Sequence, residues 1–289
     1  KQKADEQKAI AKAAEEENII MSVGSQRAGI EDPTLIDSFK IVRQVAPNTP
    51  IIGNIGIGQL SAHNFEIEDF NKCIEMINAD IMAVHLNSLH ELDQDKGDIS
   101  YKLFHKNFQD IRERYRIPII AKEVGAGFNQ DSALNLIKLG FDGFDVGGAG
   151  GTSFAAIESK RNNFKNQVYT RDPAEVFREW GIPTPVSIVY VRKTTKNPII
   201  ATGGLRTGVD ITKSIVLGAD IGGFAYKFLK SAWKDKKANS NSNTIKEIRT
   251  LKNELRSCLW LLNLNNIHDL GGNRNKCVIL GDLYRWLNQ

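Results

Sequence analysis

Six short segments of this sequence combine glycine or polar residues that could bind a charged ligand, and each lies where a predicted buried strand runs into the following loop. They are Gly24-Ser25-Gln26-Arg27, Gly53-Asn54, His85-Leu86-Asn87, Lys122-Glu123, residues 147–152 and Gly203-Gly204-Leu205-Arg206. Polar groups beside buried strands are costly unless they find a partner. The carboxyl ends of parallel strands meet on one face, so we expect these segments to line one common ligand site.

The segment 201–208 has the composition of a phosphate-binding turn. Gly203 and Gly204 let backbone N–H groups approach an anion, and the helix that follows points its positive dipole end to the same place. The segment follows the sixth of the seven predicted strands, which is barrel strand seven if the first strand lies upstream of Lys1. The turn after barrel strand seven is the usual phosphate position in α/β barrels. A purely structural turn is the alternative. The glycine run at 147–151 could form a wall for a planar cofactor, with Thr152 hydrogen-bonding to it, but taken alone it is a weak signal.

Lys122 ends an apolar strand. Its side chain either pairs with a neighbour such as Glu123 or points at an anion in the barrel mouth. A cation beside the pyrimidine edge of a flavin would stabilise the negative charge of the reduced ring. Because the neighbouring loops also have ligand-binding character, we favour the cofactor role.

The elements that must position these residues alternate along the chain. Short runs rich in isoleucine and valine cover residues 19–23, 50–55, 81–85, 118–123, 141–146, 198–202 and 220–225, and helical patterns cover residues 69–77, 103–115, 132–139, 173–180 and 209–217. Continuous hydrophobicity is typical of strands buried on both faces. The repeated strand–helix unit predicts an α/β fold, a (β/α)8 TIM barrel, with a doubly wound open sheet as the alternative.

Seven strands are predicted where a (β/α)8 barrel has eight, and the chain opens in a helical segment at residues 1–17 instead of a strand. We expect the first barrel strand upstream of Lys1. The predicted barrel covers residues 1–233, and residues 234–289 add a polar linker at 234–243 and a helical segment that packs on the barrel in the same domain. One apolar helix face is predicted there from Ile245, Ile248, Leu251, Leu255, Leu259 and Leu262.

Composition excludes several classes of protein. The chain has 289 residues, 41% hydrophobic and 25% charged, which is enough for a full core without disulfides or a structural metal. Its three cysteines are far apart and suit reduced thiols. No run is long enough for a membrane span, and the net charge of +4 is scattered. We expect a cytoplasmic protein that binds neither membrane nor nucleic acid and favours small anions.

Together these segments resemble the type 2 isopentenyl-diphosphate delta-isomerases, and most closely the archaeal members. The motifs that carry the resemblance are Val23-Gly24-Ser25-Gln26-Arg27, His85-Leu86-Asn87 followed by Glu91 and Gly97-Asp98, Lys122-Glu123, Gly150-Gly151-Thr152, Trp180-Gly181-Ile182-Pro183-Thr184 and Gly203-Gly204-Leu205-Arg206-Thr207-Gly208. This combination, in this order, is more specific than any one of its motifs.

The resemblance implies an FMN-dependent TIM-barrel enzyme that interconverts isopentenyl and dimethylallyl diphosphate. It also implies Mg2+ on the diphosphate and NADPH as the reductant of the flavin. In that family the reduced flavin is thought to take part in proton transfer, and the reaction has no net redox change. Family members form tetramers or octamers, so the resemblance implies a homo-oligomer.

The resemblance also assigns residues by position. FMN contacts fall on Ser25, Asn54, Lys122, Thr152, Gly203, Gly204, Arg206, Ala225 and Tyr226. Substrate contacts fall on Ser25, Gln26, Arg27, His85, Asn87 and His90, and the metal ligand is Glu91. The residue types agree with these roles, because Arg27 and His85 suit a diphosphate and the hard oxygen of Glu91 suits Mg2+. His90 takes the catalytic position of a family glutamine and could shuttle a proton.

The sequence departs from the family pattern at several positions. Asp95-Lys96 replaces a Pro-Glu pair, and Gly147 replaces a serine near the flavin phosphate, which removes one side-chain contact. The family's N-terminal Arg-Lys and Glu-His motif and its Met-Thr-Gly-Gly turn are not in this sequence. Two alternatives follow. The chain is a catalytically altered or inactive flavin- or prenyl-diphosphate-binding barrel, as His90 indicates, or it is another FMN-dependent TIM-barrel oxidoreductase.

Overall fold

Seven parallel strands form one sheet in this computed structural model, which describes residues 2–86, 103–162, 173–238, 240–272, 275 and 277–288. The strands are β1 (Met21–Ser22), β2 (Ile51–Gly56), β3 (Ile81–His85), β4 (Ile119–Lys122), β5 (Gly143–Asp145), β6 (Ile199–Ala201) and β7 (Ile221–Gly222). Each overlaps one predicted run, so the seven predicted strands are confirmed. Every residue of β2 is buried, as expected for a strand covered on both faces.

The strands lie in the sheet in the order of the sequence, and each pairs with its neighbour in the chain. A doubly wound sheet reverses its strand order at a switch point, so that alternative is wrong. Sequential parallel strands with a helix after each strand are the pattern of a TIM barrel. The α/β barrel prediction is therefore confirmed over seven strand–helix units of the described chain. A strand upstream of Lys1 stays a prediction.

The helices cover the strands from outside. They are α1 (Gln2–Glu17), α2 (Arg27–Glu31), α3 (Asp37–Val45), α4 (Ile57–Ser61), α5 (Ile67–Ile77), α6 (Phe104–Arg114), α7 (Gln130–Leu139), α8 (Phe154–Asn162), α9 (Pro173–Val176), α10 (Thr184–Thr194), α11 (Gly208–Leu217), α12 (Tyr226–Ala238), α13 (Ser242–Leu261), α14 (His268–Gly272) and α15 (Gly281–Leu287). All predicted helices are present, although α9 ends before residue 180. The helical pattern missed α10, because six of its eleven residues are buried and no single apolar face stands out.

The main core lies between the sheet and helices α5, α6, α7 and α10. Phe70, Phe108 and Phe144 are fully buried there, and the ring of Phe108 stacks on Phe141 with centroids 4.4 Å apart. Burial raises the pKa of the Cys73 thiol to about 12, so this cysteine is an inert part of the core. No helix in the described part of the chain has the length and apolar character that crossing a bilayer requires.

One contact is repeated at the amino ends of β2, β4 and β6. An aspartate just before the next strand accepts the N–H of the strand's first residue at 2.8 Å, and it pairs with an arginine from the preceding helix. The three sets, which we call the amino-end clamps, are Arg43, Ile51 and Asp80; Arg112, Ile119 and Asp142; and Arg192, Ile199 and Asp220. Each clamp joins two neighbouring strands and the helix that precedes the first of them.

The structure differs from the predicted polar linker at 234–243. Helix α12 runs through Ala238, and α13 begins at Ser242. The reason is Asp235, which is fully buried and accepts hydrogen bonds from the backbone N–H groups of Asn243 and Thr244, so it caps the next helix. The division of the domain at residue 234 stays a prediction.

Helix α13 lies against α1, α11 and α12. Of its predicted apolar face, Ile245, Ile248 and Leu251 are buried, with the two isoleucines packed on Ala13 of α1. The face does not continue, because Leu262 is 54% exposed beyond the helix end. Only the amino-terminal part of the predicted apolar face therefore contributes to the core.

Candidate active site

The register of the sheet places three polar side chains in one row at the carboxyl ends of the strands. His85 of β3 pairs with Lys122 of β4, and Lys122 pairs with Asp145 of β5. Side chains alternate along a strand, so directly paired residues lie on the same face. His85, Lys122 and Asp145 therefore share one face, at the end of the sheet where barrel enzymes carry their active sites.

Lys122 is held by a buried carboxylate. Its Nζ lies 3.0 Å from Oδ2 of Asp145 and donates to the carbonyl oxygen of Glu123 at 3.2 Å. Asp145 is only 6% exposed, and its Oδ1 accepts the hydroxyl of Thr202, whose oxygen accepts the N–H of Gly147 at 3.2 Å. We call Lys122, Asp145 and Thr202 the Lys122 network. The alternative partner considered from sequence, the carboxylate of Glu123, is not the one that Lys122 contacts.

Glu123 instead shapes the loop after β4. Its Oε2 accepts the backbone N–H groups of Val124, Gly125 and Ala126 at 2.9, 3.2 and 2.7 Å. Burial raises the pKa of Glu123 to about 7, and these backbone donors oppose the rise because they favour the charged form. The carboxyl of Glu123 therefore titrates near neutrality while it holds the loop beside Lys122.

The loops after β5 and β6 touch through glycine backbones. A Cβ on Gly203, whose φ is +102°, would lie 2.1 Å from the carbonyl oxygen of Gly148, and a Cβ on Gly151 would lie 2.8 Å from the nitrogen of Gly204. No side chain fits at such distances. The two predicted ligand loops therefore form one continuous surface of backbone.

Gly147 is required by packing. Its φ is +43°, and a Cβ there would lie 2.0 Å from the carbonyl oxygen of Glu123. The family resemblance predicts that Gly147 replaces a serine and so removes one side-chain contact to a phosphate. The structure adds a different reason for glycine, because the loop after β5 presses on the end of β4 at this point.

The start of α11 is capped by the chain's own carboxylates. Asp210 accepts the N–H groups of Arg206 and Thr207 at 2.9 and 3.0 Å, and the N–H of Gly208 donates to Glu254 of α13 at 2.6 Å. These three N–H groups already have acceptors within the protein, and the predicted phosphate contact of residues 201–208 stays a prediction.

The N–H groups of Gly203 and Gly204 find no hydrogen-bond acceptor within the described ranges of the chain. Arg206 is exposed beside them, and Ala225 and Tyr226, which are also exposed, stand at the start of α12. The two segments are neighbours because β6 pairs with β7. This corner offers backbone donors, a guanidinium and a helix start to an anion.

His85 is oriented by Asn54. The amide nitrogen of Asn54 donates to the carbonyl oxygen of Val23 at 3.1 Å, so Oδ1 is the atom that faces Nδ1 of His85 at 2.7 Å. Oδ1 can only accept, and Nδ1 of His85 must therefore carry a proton. In the neutral ring the lone pair then lies on Nε2, and in the charged ring Nε2 becomes a second donor.

Gln26 lies inside the core, although the resemblance places it at the substrate. Its side chain is fully buried, donates to the carbonyl oxygen of Cys73 at 2.8 Å and accepts the N–H of Asn54 at 2.9 Å. These contacts join β2 to α5. Gln26 therefore holds the strand that carries Asn54, and a direct substrate contact for it stays a prediction.

The other predicted residues on these loops lie at the surface. Ser25 and Thr152 are exposed. Arg27 pairs with Glu31 one turn further along α2, with Nε and Oε1 2.6 Å apart and both side chains more than a third exposed. Such exposed pairs contribute little stability, so Arg27 is available to an anionic ligand.

Asn87, His90 and Glu91 lie outside the described residues, so their predicted substrate, catalytic and metal-binding roles stay predictions. Within the described ranges, no group of three His, Cys, Asp or Glu side chains is placed to hold a metal ion.

The sequence predicted no role for Asp145, and it included Thr202 only as part of the segment 201–208, with no role of its own. A signal for Asp145 was present, because an acidic residue within an otherwise apolar strand must find a partner. Which partner it finds depends on the register between β4 and β5, and that register cannot be read from either strand alone. Thr202 carries no comparable signal, since a threonine at a strand end is ordinary.

Comparison with known proteins adds family information to this geometry. Residues 82–276 match the family model for FMN-dependent dehydrogenases. A curated isopentenyl-diphosphate delta-isomerase of Methanococcus maripaludis is 41% identical, with 98% of this chain and 78% of the relative covered. The protein of the same name from Archaeoglobus fulgidus is 38% identical, with 96% and 77% covered.

Solved structures share the fold at low identity. A mandelate oxidase mutant matches with a TM-score of 0.57 and 12% identity over 92% of this chain and 72% of that one. A flavocytochrome b2 variant matches with a TM-score of 0.58 and 13% identity over 98% and 69%. These similarities support the barrel architecture.

Proposed function

Because the chain belongs to the isopentenyl-diphosphate delta-isomerases and, over residues 82–276, to the FMN-dependent dehydrogenase family, we propose that it is an FMN- and Mg2+-dependent isomerase. The reaction converts isopentenyl diphosphate into dimethylallyl diphosphate by proton transfer, with no net redox change. The observation that carries the proposal is the row of His85, Lys122 and Asp145 at the carboxyl end of the sheet. The N–H groups of Gly203 and Gly204, which find no acceptor among the residues that the structure describes, lie at the same end.

The residues at this end fit a flavin nucleotide by their chemistry. Lys122 supplies a cation for the ring, and Gly203, Gly204 and Arg206 supply donors for the phosphate. The two glycine loops, which pack backbone against backbone, are proposed as the wall against which a flat group would lie. Further contacts are proposed for Ser25, Asn54, Thr152, Ala225 and Tyr226. When bound and reduced, FMN would supply the group that exchanges a proton with the alkene.

The diphosphate is proposed to bind at Arg27 and His85, together with Ser25 and Asn87. Asn54 keeps a proton on Nδ1 of His85, so a second proton on Nε2 turns the ring into a donor toward a phosphate oxygen. Arg27 would exchange its exposed pair with Glu31 for the diphosphate, a change that costs about 1 kcal/mol or less.

The remaining assignments are proposals from the family. Glu91 would bind Mg2+, and His90 would stand beside it at the position of the family's glutamine. NADPH would reduce the flavin, and the protein would act in the cytoplasm as a homo-oligomer.

A second candidate function is that of an FMN-dependent oxidoreductase. It is favoured by one observation, the match of residues 82–276 to a dehydrogenase family model. Such an enzyme would remove a hydride from a hydroxy acid and release a carbonyl product. A third hypothesis follows from His90: the barrel binds flavin or a prenyl diphosphate without turnover.

The proposal is tested with purified protein supplied with FMN, Mg2+ and NADPH. We expect interconversion of isopentenyl and dimethylallyl diphosphate, followed by NMR of the substrate protons. Lys122→Gln should lower the rate by about 100-fold, the usual loss when a preorganised charge is removed. Lys138→Gln, at an exposed position of α7, is the matched control and should keep the rate.

The outcomes separate the candidates. Bound, reducible FMN without isomerisation would reject the isomerase, and hydride transfer that yields a carbonyl product would establish the oxidoreductase. Turnover that appears only in His90→Gln would identify the chain as a binding barrel that lost catalysis at this position.

A further inference from the structure

The ammonium group of Lys122 does not face the site as an isolated charge. Its Nζ lies 3.0 Å from Oδ2 of Asp145 as an ion pair, and it donates a hydrogen bond to the carbonyl oxygen of Glu123 at 3.2 Å. The side chain of Lys122 is 22% exposed and that of Asp145 is 9% exposed. A pair this sheltered from water is screened less than a surface pair, so each charge acts strongly on the other.

Asp145 is itself held in place. Its Oδ1 accepts the hydroxyl of Thr202, and the backbone oxygen of Asp145 accepts the N–H of Glu123 at 2.9 Å. Thr202 is positioned in turn by the N–H of Gly147. The carboxylate is therefore fixed by groups from the ends of β4, β5 and β6, and it fixes the direction in which Lys122 extends.

We propose that Asp145 is the positioning residue for Lys122 and that the Lys122–Asp145 pair sets the reduction potential of the flavin bound beside it. This inference rests on the proposed FMN site. Asp145 holds Lys122 at the ring and offsets part of its positive charge, so the protein stabilises reduced flavin less than an unpaired lysine would.

The direction of the effect follows from charge. Two electrons and one proton convert oxidised FMN into its anionic reduced form, which carries one more negative charge on the ring. A nearby cation binds this form more tightly than the oxidised form and raises the potential. A carboxylate 3.0 Å from the cation weakens that preference.

The residue just before the same strand offers a matched control. Asp142, three residues before Asp145, pairs with Arg112 at 2.9 Å at the other end of the sheet. At about 3.3 Å per residue the two aspartates lie about 10 Å apart. Asp142→Asn removes a similar ion pair at the amino end of β5 without touching the carboxyl-end row.

The test measures the midpoint potential of FMN bound to each variant, by dithionite reduction in the presence of a dye of known potential. In Asp145→Asn, we expect reduced FMN to gain about tenfold in affinity relative to oxidised FMN, which is a rise of about 30 mV for a two-electron couple. Lys122→Gln should shift the potential in the opposite direction. Asp142→Asn should leave it unchanged.

The double variant Lys122→Gln with Asp145→Asn gives an independent measurement, and it leaves no unpaired buried charge that could prevent folding. If Asp145 offsets the charge of Lys122, the double variant returns to a potential near that of the natural protein. A double variant with the potential of Lys122→Gln alone would overturn the proposal, and so would an unchanged potential in Asp145→Asn.

If Asp145 had only a structural role, its replacement would weaken the binding of oxidised and reduced FMN equally. The midpoint potential would then be unchanged. Failure of the proposed function is visible separately, because it means that the natural protein binds no FMN or binds it without isomerising the substrate.

Discussion

The two ends of the sheet use ion pairs of the same chemistry in different surroundings. At the amino ends, three arginines pair with aspartates that also accept a strand N–H, and the same arrangement occurs at β2, β4 and β6. At the carboxyl ends, the pair of Lys122 and Asp145 occurs beside His85, and its aspartate is bonded to a side chain, Thr202, rather than to a strand N–H.

The difference separates a stabilising role of the amino ends from a ligand-binding role of the carboxyl ends. The amino-end clamps satisfy backbone groups and leave their aspartates between 39% and 52% exposed, so they contribute to stability and present little to a ligand. At the carboxyl end the aspartate is buried, while the N–H groups of Gly203 and Gly204 keep no partner within the described chain. Backbone donors without partners beside a fixed cation are suited to a ligand.

The largest effect is expected from adding a side chain where the carboxyl-end loops press together. Gly147→Ser should lower the free energy of unfolding by about 3 kcal/mol or more, because a positive φ and a backbone clash act together. Gly140→Ser is the control at the amino end, where φ is +107° but the nearest atom would be 3.8 Å away, and it should cost about 1 to 2 kcal/mol. Denaturant unfolding measures both, and equal losses would contradict the close packing of Gly147.

A smaller effect is expected from breaking one amino-end clamp. Asp220→Ala leaves the N–H of Ile199 without its acceptor and should lower the free energy of unfolding by about 2 kcal/mol. Asp282→Ala, which removes an exposed pair with Arg285, should change it by less than about 0.5 kcal/mol. FMN affinity, measured by fluorescence titration, should be the same in both variants. Weaker FMN binding in Asp220→Ala would contradict the conclusion that the amino-end clamps act on stability and not on ligand binding.

The effect with the smallest change per step of the measurement, one pH unit, is a pH dependence from the carboxyl end. The pKa of Glu123 in the folded protein, about 7, lies above its ordinary value of 4.5, so the folded state holds the proton more tightly than the unfolded state. The stabilisation is complete below pH 4.5 and is lost as the pH rises through 7. Relative to Glu123→Gln, the natural protein should lose up to about 1.4 kcal/mol per pH unit between these limits. Denaturant unfolding at each pH measures the free energy of unfolding of both proteins. If the two free energies changed in parallel with pH, the shifted pKa of Glu123 would be contradicted.

The elements could be predicted from the sequence because their signals are local. Apolar runs indicated all seven strands, and the Thr207–Asp210 cap marks the start of α11 within a few residues of the chain. The predicted polar linker was misread for a reason that is not local. Lys234 to Ala238 continue α12, and Asp235 within this helix caps α13 through residues eight and nine positions further on.

The site could be predicted only as a set of loops. His85 and Lys122 were expected at the carboxyl ends, and the register puts them side by side. Gln26 was expected at the ligand and lies in the core, because Cys73 of α5 and Asn54 of the adjacent strand β2 offer the acceptor and donor that its amide needs. Asn87, His90 and Glu91 are outside the described residues.

The sequence by itself determined the alternation of strands and helices, the positions of the glycine loops and the types of residue at each strand end. These depend on periodicity and on backbone freedom, which act within a few residues. Only the tertiary structure decided that Lys122 takes Asp145 as its partner, that Asn54 orients His85 and that Glu254 occupies the start of α11. Charges and hydrogen-bonding groups act over a few ångströms in space, and the chain brings those groups together from positions 23 to 46 residues apart.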